Sequence, residues 1–470
     1  MNFFWYDIIF LIGFVLFVGL FLYFNKKNLK KDGLLFLYRA KWGIKLIKKV
    51  GEKYQKTLKF LSYVSVGLGY ILMAGGIYLV GKIVYIYCFY PNVVRAIKVP
   101  PMMPLIPYLP QMFKIDFLPD FYFTYWIVIL AIVAISHEFA HGIFAVYNKL
   151  KIKKTGFGFF PYFFPIFLAA FVEFDEKAME KKNKLSQMAI LAAGTFANVL
   201  VAIFFFIIMF VFFSAAFAPA GIQFNSYAYE AVSLSAILSV NNVSFGNATY
   251  ENLASLLNNE SSNLIKTSEE NYVGIRGVLE DENSILLYHD YPAIKAGLKG
   301  AIIEIQGEKV TDWKQFGKEL YKNSPGEIIN LKTNYNDEIL EYNLVLGENP
   351  ANSSVPCLGV GYEKYESSGL MAKLISALGS FKQDNIYYES KWNGSEFIFN
   401  LLWWLILISI SVAFVNMLPV GIFDGGKFFY LTILGITKSK KKAEKTFKFM
   451  TRFFLFIFLL LMIFWIFRIF

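Results

Sequence analysis

The hydrophobic pattern of the chain consists mainly of long apolar runs separated by short polar segments. Six of these runs are long enough to cross about 30 Å of hydrocarbon as helices. They begin near Phe3, Phe60, Phe121, Leu185, Phe397 and Phe449. The first has neither a charged n-region nor a small-residue cleavage site, so it predicts a span and not a removable signal peptide. The pattern predicts an α-helical polytopic membrane protein with about six transmembrane helices.

Two segments between the spans depart from this pattern. From Leu34 to Val50, apolar residues alternate irregularly with lysine and arginine. This is typical of a basic amphipathic helix in the membrane interface, or equally of an ordinary cytosolic helix. The run from Gly156 to Phe174 is apolar enough to span, yet it contains Pro161 and Pro165 and has basic flanks on both sides. We interpret it as an extended, re-entrant segment whose backbone is shielded by protein or water.

The composition and the placement of charge agree with a membrane protein. Of 470 residues, 56% are hydrophobic and only 17% are charged, which implies long stretches in contact with lipid. The net charge of +11 does not indicate nucleic-acid binding, because no basic groove motif accompanies it. Instead, lysines cluster just outside the apolar runs, for example at Lys26, Lys27, Lys30 and Lys31. Such lysines mark cytoplasmic loops, so six spans place both termini and the polar region from about 220 to 392 outside.

The third predicted span contains the sequence S-H-E-F-A-H, with His137, Glu138 and His141. Positions i and i+4 lie on one face of a helix, so both imidazoles can reach one metal ion. Glu138 occupies the place of the general base in an H-E-x-x-H metalloprotease. A chance occurrence is disfavoured, because the chain has three histidines and ionisable groups inside an apolar helix are costly.

A catalytic zinc site needs a third protein ligand and leaves one position for water. The fifth predicted span ends in V-N-M-L-P-V-G-I-F-D-G-G, where Asp424 lies on the predicted cytoplasmic side, as His141 does. Pro419 and Gly421 are expected to end the helix and let the backbone turn towards the metal. Taken alone, Asp424 is also consistent with a turn aspartate at a helix end that binds no metal.

Together, H-E-F-A-H in one span and N-x-x-P-x-G-x-x-D-G in a later one resemble the site-2 protease family of intramembrane zinc metalloproteases. The resemblance implies one Zn²⁺ ion held by His137, His141 and Asp424, with Glu138 as the catalytic residue. It also matches Gly194 and Asn198 in A-A-G-T-F-A-N. It covers the membrane core, roughly residues 121 to 215 and 396 to 435. The active site is then expected near the cytoplasmic face of the cell membrane.

Two asparagines are candidates to hold the substrate backbone or an oxyanion, namely Asn198 and Asn416. Hydrogen bonding between helices is the alternative role for both. The expected substrates are single-span or other membrane proteins within the lipid bilayer, and no nucleic acid is expected as a partner.

The outside region changes to short β-like runs. Residues 291 to 310 resemble part of a PDZ domain, with a strand from Ile302 to Ile305 and a helix from about Trp313. An earlier stretch, 237 to 257, repeats the order of strand, turn and helix. This predicts either two tandem PDZ-like units or one with an N-terminal extension, in an inserted extracytoplasmic α+β region that would bind an extended peptide.

The predicted organisation has six parts. They are 1–120 (two spans and the basic amphipathic segment), 121–219 (first part of the catalytic core), 220–365 (PDZ-like region), 366–395 (linker), 396–435 (second part of the core) and 436–470 (basic loop and last span).

The alternative functions are a transporter or channel, a signalling scaffold, and another class of membrane zinc protease. A transporter predicts repeated halves, which the spans do not show. The intact motif argues against a decayed scaffold. Another H-E-x-x-H class would be expected to take a later glutamate as ligand, so the match at Asn416, Pro419 and Asp424 favours the site-2 protease reading.

Overall fold

The computed structural model describes the chain except for a set of short segments. These are 1–2, 33–34, 98–99, 102, 116–117, 161–165, 245–251, 254–255, 257–262, 269, 279–283, 365–378, 380 and 470. Pro161, Pro165 and most of the helix predicted before residue 257 therefore lie outside the described residues, as does much of the predicted linker.

The helices lie mainly in the first half and at the end of the chain. They are α1 (Phe3–Phe24), α2 (Ile44–Lys53), α3 (Gln55–Phe89), α4 (Pro91–Ile97), α5 (Leu109–Met112), α6 (Phe123–Tyr147), α7 (Glu176–Glu180), α8 (Lys184–Ala216), α9 (Pro292–Lys295), α10 (Trp313–Leu320), α11 (Ser395–Asn416), α12 (Asp424–Thr437) and α13 (Lys440–Ile469).

The strands form two groups along the chain. The first group is β1 (Leu29–Asp32), β2 (Leu35–Ala40), β3 (Ile152–Phe160) and β4 (Ile166–Phe174). The second is β5 (Phe217–Ile222), β6 (Ser226–Tyr227), β7 (Tyr229–Ser233), β8 (Ile237–Val240), β9 (Val243–Ser244), β10 (Leu264–Thr267), β11 (Asn271–Val278), β12 (Ser284–His289), β13 (Ala301–Ile305), β14 (Glu308–Lys309), β15 (Ile328–Tyr335), β16 (Glu338–Val345), β17 (Gly347–Asn349), β18 (Asn352–Cys357), β19 (Val360–Gly361) and β20 (Ile386–Ser390).

Six helices in the described part of the chain are long and apolar enough to cross a membrane: α1, α3, α6, α8, α11 and α13. The number of spans predicted from sequence is therefore confirmed, and the protein is a multi-pass membrane protein. The chain divides into two compact units. One, here called the membrane unit, comprises Met1–Phe212 and Glu396–Phe470, and the other, here called the inserted unit, comprises Phe213–Ser395. The finer predicted boundaries stay predictions.

The membrane unit contains a four-stranded antiparallel sheet in the order β1-β2-β3-β4. The extended conformation predicted between Gly156 and Phe174 is present in the parts of β3 and β4 that are described. The single helix predicted from Leu34 to Val50 is wrong in its first half, where Leu35–Ala40 is a strand and only Ile44–Lys53 is helical. Strand β2 pairs with β3, with Arg39 opposite Gly156. Backbone pairing with a distant strand outweighs the local helical pattern there.

The sheet and α2 both pack against α6. A Cβ added at Gly142 in α6 would lie 3.1 Å from both Ile47 of α2 and Val172 of β4. A Cβ at Gly51 in α2 would lie 2.7 Å from Val146 of α6. These glycines permit close backbone approach, which fixes α6 against strand β4.

The N-terminus of α6 is capped from another span. Asp7 of α1 is 1% exposed, and its carboxylate accepts hydrogen bonds from the backbone N–H groups of Phe123 (2.7 Å) and Thr124 (2.9 Å). The hydroxyls of Thr124 and Tyr108 donate to the same carboxylate. The first N–H groups of a helix have no partner within it, and the helix dipole favours a negative charge at that end. Asp7 therefore ties α1 to the start of α6.

Replacing this cap is expected to destabilise the membrane unit. Asp7→Ala leaves buried donors unpaired, at about 1–3 kcal/mol for each, so the midpoint of thermal unfolding in detergent should fall clearly below that of wild type. Asp7→Asn, which keeps one acceptor oxygen, should fall by less. An unchanged midpoint in Asp7→Ala would show that the carboxylate does not hold the two helices together.

The inserted unit is built on two larger sheets. One has the order β7-β12-β11-β10-β8-β9 and the other the order β16-β15-β13-β5-β20, with β14 paired to β13. Each sheet covers its own apolar core, one around Ile265 and Leu287 and the other around Ile302 and Leu331. The strand predicted at 302–305 and the helix predicted from Trp313 are both present.

Candidate active site

The two histidines of the third span lie side by side on α6. His137 and His141 are 8% and 7% exposed, and their Nε2 atoms are 3.0 Å apart. The spacing of four residues places them one helical turn apart on the same face. Both rings therefore direct the same type of nitrogen at a common point.

Asp424 reaches this point from the start of α12. Helix α11 ends at Asn416 and α12 begins at Asp424, so the helical conformation is interrupted around Pro419 and Gly421. The two glycines after Asp424 permit the turn, because a Cβ at Gly425 or Gly426 would collide with the backbone of residues 417 to 421. The aspartate carboxylate is thereby fixed at the first position of a helix.

The three side chains have the separation that a single zinc ion requires. Asp424 Oδ2 is 3.3 Å from His137 Nε2 and 3.2 Å from His141 Nε2. Ligands about 2.0–2.1 Å from a tetrahedral zinc lie about 3.3 Å from one another. Two imidazole nitrogens and one carboxylate oxygen also form a donor set that zinc prefers. The residues fit one ion with a coordination position left over.

The opposite nitrogen of His141 is held by the backbone. His141 Nδ1 lies 2.7 Å from the carbonyl oxygen of Ile190 in α8, which only accepts hydrogen bonds. Nδ1 therefore carries the proton, and the lone pair of Nε2 faces the common point. Such outer hydrogen bonds orient metal-binding histidines and raise their basicity.

Asn198 of α8 contacts Nδ1 of His137, as the Ile190 carbonyl contacts Nδ1 of His141. Its side-chain nitrogen is 3.1 Å from His137 Nδ1, and its amide oxygen is buried without a hydrogen-bond partner among the described residues. Oxygen and nitrogen of an amide exchange places by a rotation of 180°. After this exchange, Oδ1 accepts a hydrogen bond from His137 Nδ1–H. The buried oxygen is then satisfied, and His137 Nε2 also has a free lone pair.

Gly194 lies against both imidazoles. A Cβ at this position would collide with Nε2 of His137 and of His141. The residue one turn before Asn198 must therefore lack a side chain for the rings to reach the same point. This gives a physical reason for the spacing of Gly194 and Asn198 in the sequence.

Glu138 is positioned by the four-stranded sheet. Its Oε2 accepts a hydrogen bond of 3.0 Å from the backbone N–H of Val172 in β4. Strand β4 is the last strand in the described sheet. Because the Val172 N–H points at Glu138 and not at β3, the outer edge of β4 passes beside the glutamate carboxylate.

Asn416 lies apart from the contacts of this cluster. It is the last residue of α11 and lines an apolar cavity of about 490 Å³, together with residues of α3 and α13 such as Gly76, Val80 and Leu461. Of the two asparagines proposed from sequence, the structure therefore places only Asn198 against a histidine of the cluster.

Some contributing groups have no signal in the sequence. The carbonyl of Ile190 and the N–H of Val172 act through the backbone, so their residue types carry no information. Asp7 does leave a trace, since it is the one carboxylate in an apolar run of 22 residues, and a charge in such a run usually has a specific partner.

Comparison with known proteins decides the family. A sequence profile of peptidase family M50 matches residues 125–461, about 70% of the chain. The chain belongs to peptidase family M50. This is the site-2 protease family of intramembrane metalloproteases, as the motifs in the sequence indicated. The M50 match includes α12 and all but the first two residues of α6, the helices that carry the cluster of His137, His141 and Asp424. Among curated proteins, none matches the chain.

Proposed function

We propose that the protein is a zinc metalloendopeptidase that hydrolyses peptide bonds of membrane-spanning substrates near the cytoplasmic side, in regulated intramembrane proteolysis. The observation that supports this most strongly is the mutual separation of 3.0–3.3 Å among the three ligand atoms. Two of the three ligands, His137 and His141, lie with Glu138 on a helix that is apolar enough to span a membrane.

Each residue of the site has a defined task. His137, His141 and Asp424 would hold the ion, which when bound lowers the pKa of a water and polarises the scissile carbonyl. Glu138 takes the proton from the attacking water and passes it to the leaving amine. Ile190 and Asn198 keep the two imidazoles in the tautomer that offers Nε2. Asn416, which lines the apolar cavity, is left as a candidate for contact with substrate.

The edge of β4 is suited to hold the substrate in an extended conformation. A helix hides its backbone amides, so a transmembrane substrate must be unwound before it can be cut. A free sheet edge offers backbone donors and acceptors to such a strand. Because the outer edge at Val172 lies beside Glu138, a substrate strand paired there would be close to the general base.

The membrane orientation and the role that we propose for the inserted unit rest on sequence patterns. The basic loops favour a cytoplasmic position for the site and outside positions for both termini and the inserted unit. The sheet that contains β13, together with α9 and α10, supports one PDZ-like unit. The sheet that contains β7 to β12 is compatible with a second such unit before it. Such units bind extended peptides. We propose that the inserted unit filters substrates by the size of their outside portion, or captures a cut end.

Mapping the cut tests this function. The purified protein is incubated with a single-span substrate, and the products are identified by mass spectrometry. We expect cleavage inside the apolar segment, in its cytoplasmic half, that a zinc chelator stops. Cuts confined to the soluble portions of the substrate, or cleavage that the chelator leaves unchanged, would contradict the proposal.

The role given to Asn198 predicts an unusual order of variants. Asn198→Ala should weaken zinc binding about 10–100-fold, the usual effect of losing an outer hydrogen bond to a metal ligand. Asn198→Asp should recover most of the affinity, since a carboxylate accepts from His137 Nδ1–H. If the asparagine nitrogen instead donates to Nδ1, the aspartate variant will bind zinc no better than the alanine variant. Competition with a zinc-binding dye measures the three affinities.

A further inference from the structure

A second group of metal-binding side chains lies in the inserted unit. It consists of Glu230 in β7, Glu270 just before β11 and His289 at the end of β12. These strands are neighbours in the order β7-β12-β11. The group has no part in the proposed active site, which lies in the membrane unit.

The pairing of the strands brings the three side chains to one face of the sheet. Glu230 is opposite Leu287, and His289 follows Leu287 by two residues. His289 is opposite Tyr272, and Glu270 precedes Tyr272 by two residues. Side chains alternate between faces along a strand and directly opposed residues share a face. The register therefore places Glu230 and His289 on the same side, and Glu270, in the turn just before β11, reaches that side through its contact with His289.

The ligand atoms of the group lie close together. One oxygen of each glutamate and one ring nitrogen of His289 are all within 4.8 Å of one another, and His289 Nδ1 is 3.0 Å from Glu270 Oε2. Ligands of a zinc ion at about 2.0–2.2 Å can have this separation after a small side-chain rotation. The closest pair already has the spacing seen between the ligands of the active-site cluster.

Aromatic neighbours hold these side chains in place. The ring of His289 stacks on Tyr291, with centroids 5.3 Å apart and an angle of 29°, and the ring centroid of Tyr272 is 5.4 Å away. The hydroxyl of Tyr272 donates to Glu230. An outer hydrogen bond of this kind is typical of carboxylates that bind a metal.

The charges of the group are not balanced by its own members. Two carboxylates face one imidazole. A divalent cation would neutralise both carboxylates.

We propose that Glu230, Glu270 and His289 bind a second divalent transition-metal ion of the zinc class, separate from the ion of the active site. An imidazole ligand selects against calcium and magnesium, which prefer oxygen alone. His289 and Tyr291 also line a pocket of about 370 Å³. An ion bound to His289 would therefore border this pocket, from which water or an anionic group would complete its coordination.

Counting bound zinc tests this proposal. The full-length protein in detergent is stripped with a chelator, reloaded with zinc, passed through gel filtration and analysed for metal. Wild type should hold two equivalents. His289→Gln and the pair Glu230→Gln with Glu270→Gln should each hold one, and the equivalent that remains shows that the variants are folded. The pair His137→Ala with His141→Ala should also hold one, and its combination with His289→Gln should hold none.

Matched controls make the result specific. The exposed pair Glu308→Gln with Glu338→Gln has the same change of charge in the same unit, and it should still hold two equivalents. A His289→Gln variant that holds as much zinc as wild type would overturn the proposal, whereas a wild type whose only equivalent is lost in His289→Gln would contradict the active-site zinc and not this site. Displacement of the second equivalent by calcium at equal concentration would overturn the assignment to a transition metal.

Discussion

Glu138→Gln is expected to reduce the rate of substrate cleavage by about 10²–10⁴-fold, the usual contribution of a general base. Glutamine has nearly the shape of glutamate but cannot take a proton from water. It can still accept a hydrogen bond from the N–H of Val172, so β4 and α6 should keep their positions. Cleavage of a single-span substrate, followed on gels or by mass spectrometry, measures the rate.

The zinc content of this variant separates the general base from the metal ligands. Glu138→Gln should hold as much zinc as wild type, because the proposed ligand atoms belong to other residues. Glu173→Gln is the matched control, since Glu173 lies on β4 and forms a partly exposed ion pair with Arg39 at 3.5 Å. That control should cleave at nearly the wild-type rate. A Glu138→Gln variant that cuts as fast as wild type would remove Glu138 from the mechanism.

Asp424→Ala is expected to lose both cleavage and one equivalent of zinc relative to wild type. It removes one of the three proposed ligand atoms and leaves the two imidazoles with no carboxylate ligand opposite them. Loss of an outer partner costs about 10–100-fold in metal affinity, so loss of a ligand should cost more than about 100-fold. Metal analysis after gel filtration and the cleavage assay give the two readings on the same sample.

Two further variants define what Asp424 contributes. Asp424→Asn keeps the size of the side chain and one oxygen, but it loses the negative charge that strengthens zinc binding, so its affinity should lie between those of wild type and Asp424→Ala. Asp384→Ala removes an exposed aspartate and should change neither reading. If Asp424→Ala keeps the full zinc content, Asp424 is not a ligand.

The spans and the cluster could be predicted because they depend on short stretches of sequence, namely long apolar runs and closely spaced motif residues. Long apolar runs define helices in lipid, since only a helix satisfies all backbone hydrogen bonds within a single segment there. His137 and His141 are readable from their spacing of four residues. Asp424 required more, because its approach depends on the close packing of Gly425 and Gly426 on the preceding turn. The motif indicates the residues, but only the fold shows the distances.

The strand at Leu35–Ala40 could not be predicted because its partner is distant in the sequence. Its pairing depends on Gly156, which lies more than a hundred residues later and leaves room for the carbonyl of Tyr38. The ionisable group of the inserted unit was missed for the same reason. His289 gains its neighbours Glu270 and Glu230 from strand order and register, which no spacing within one segment reveals.

Restoring activity to metal-free protein tests the central claim most directly. The wild-type chain is stripped with a chelator, zinc is added back stepwise, and the cleavage of a single-span substrate is followed. We predict that the stripped protein does not cut and that cleavage returns with zinc in wild type, while Glu138→Gln and Asp424→Ala stay inactive at every zinc concentration that restores wild type. Full cleavage by the stripped protein, or by either variant under these conditions, would contradict the zinc centre of His137, His141 and Asp424 with Glu138 as its base.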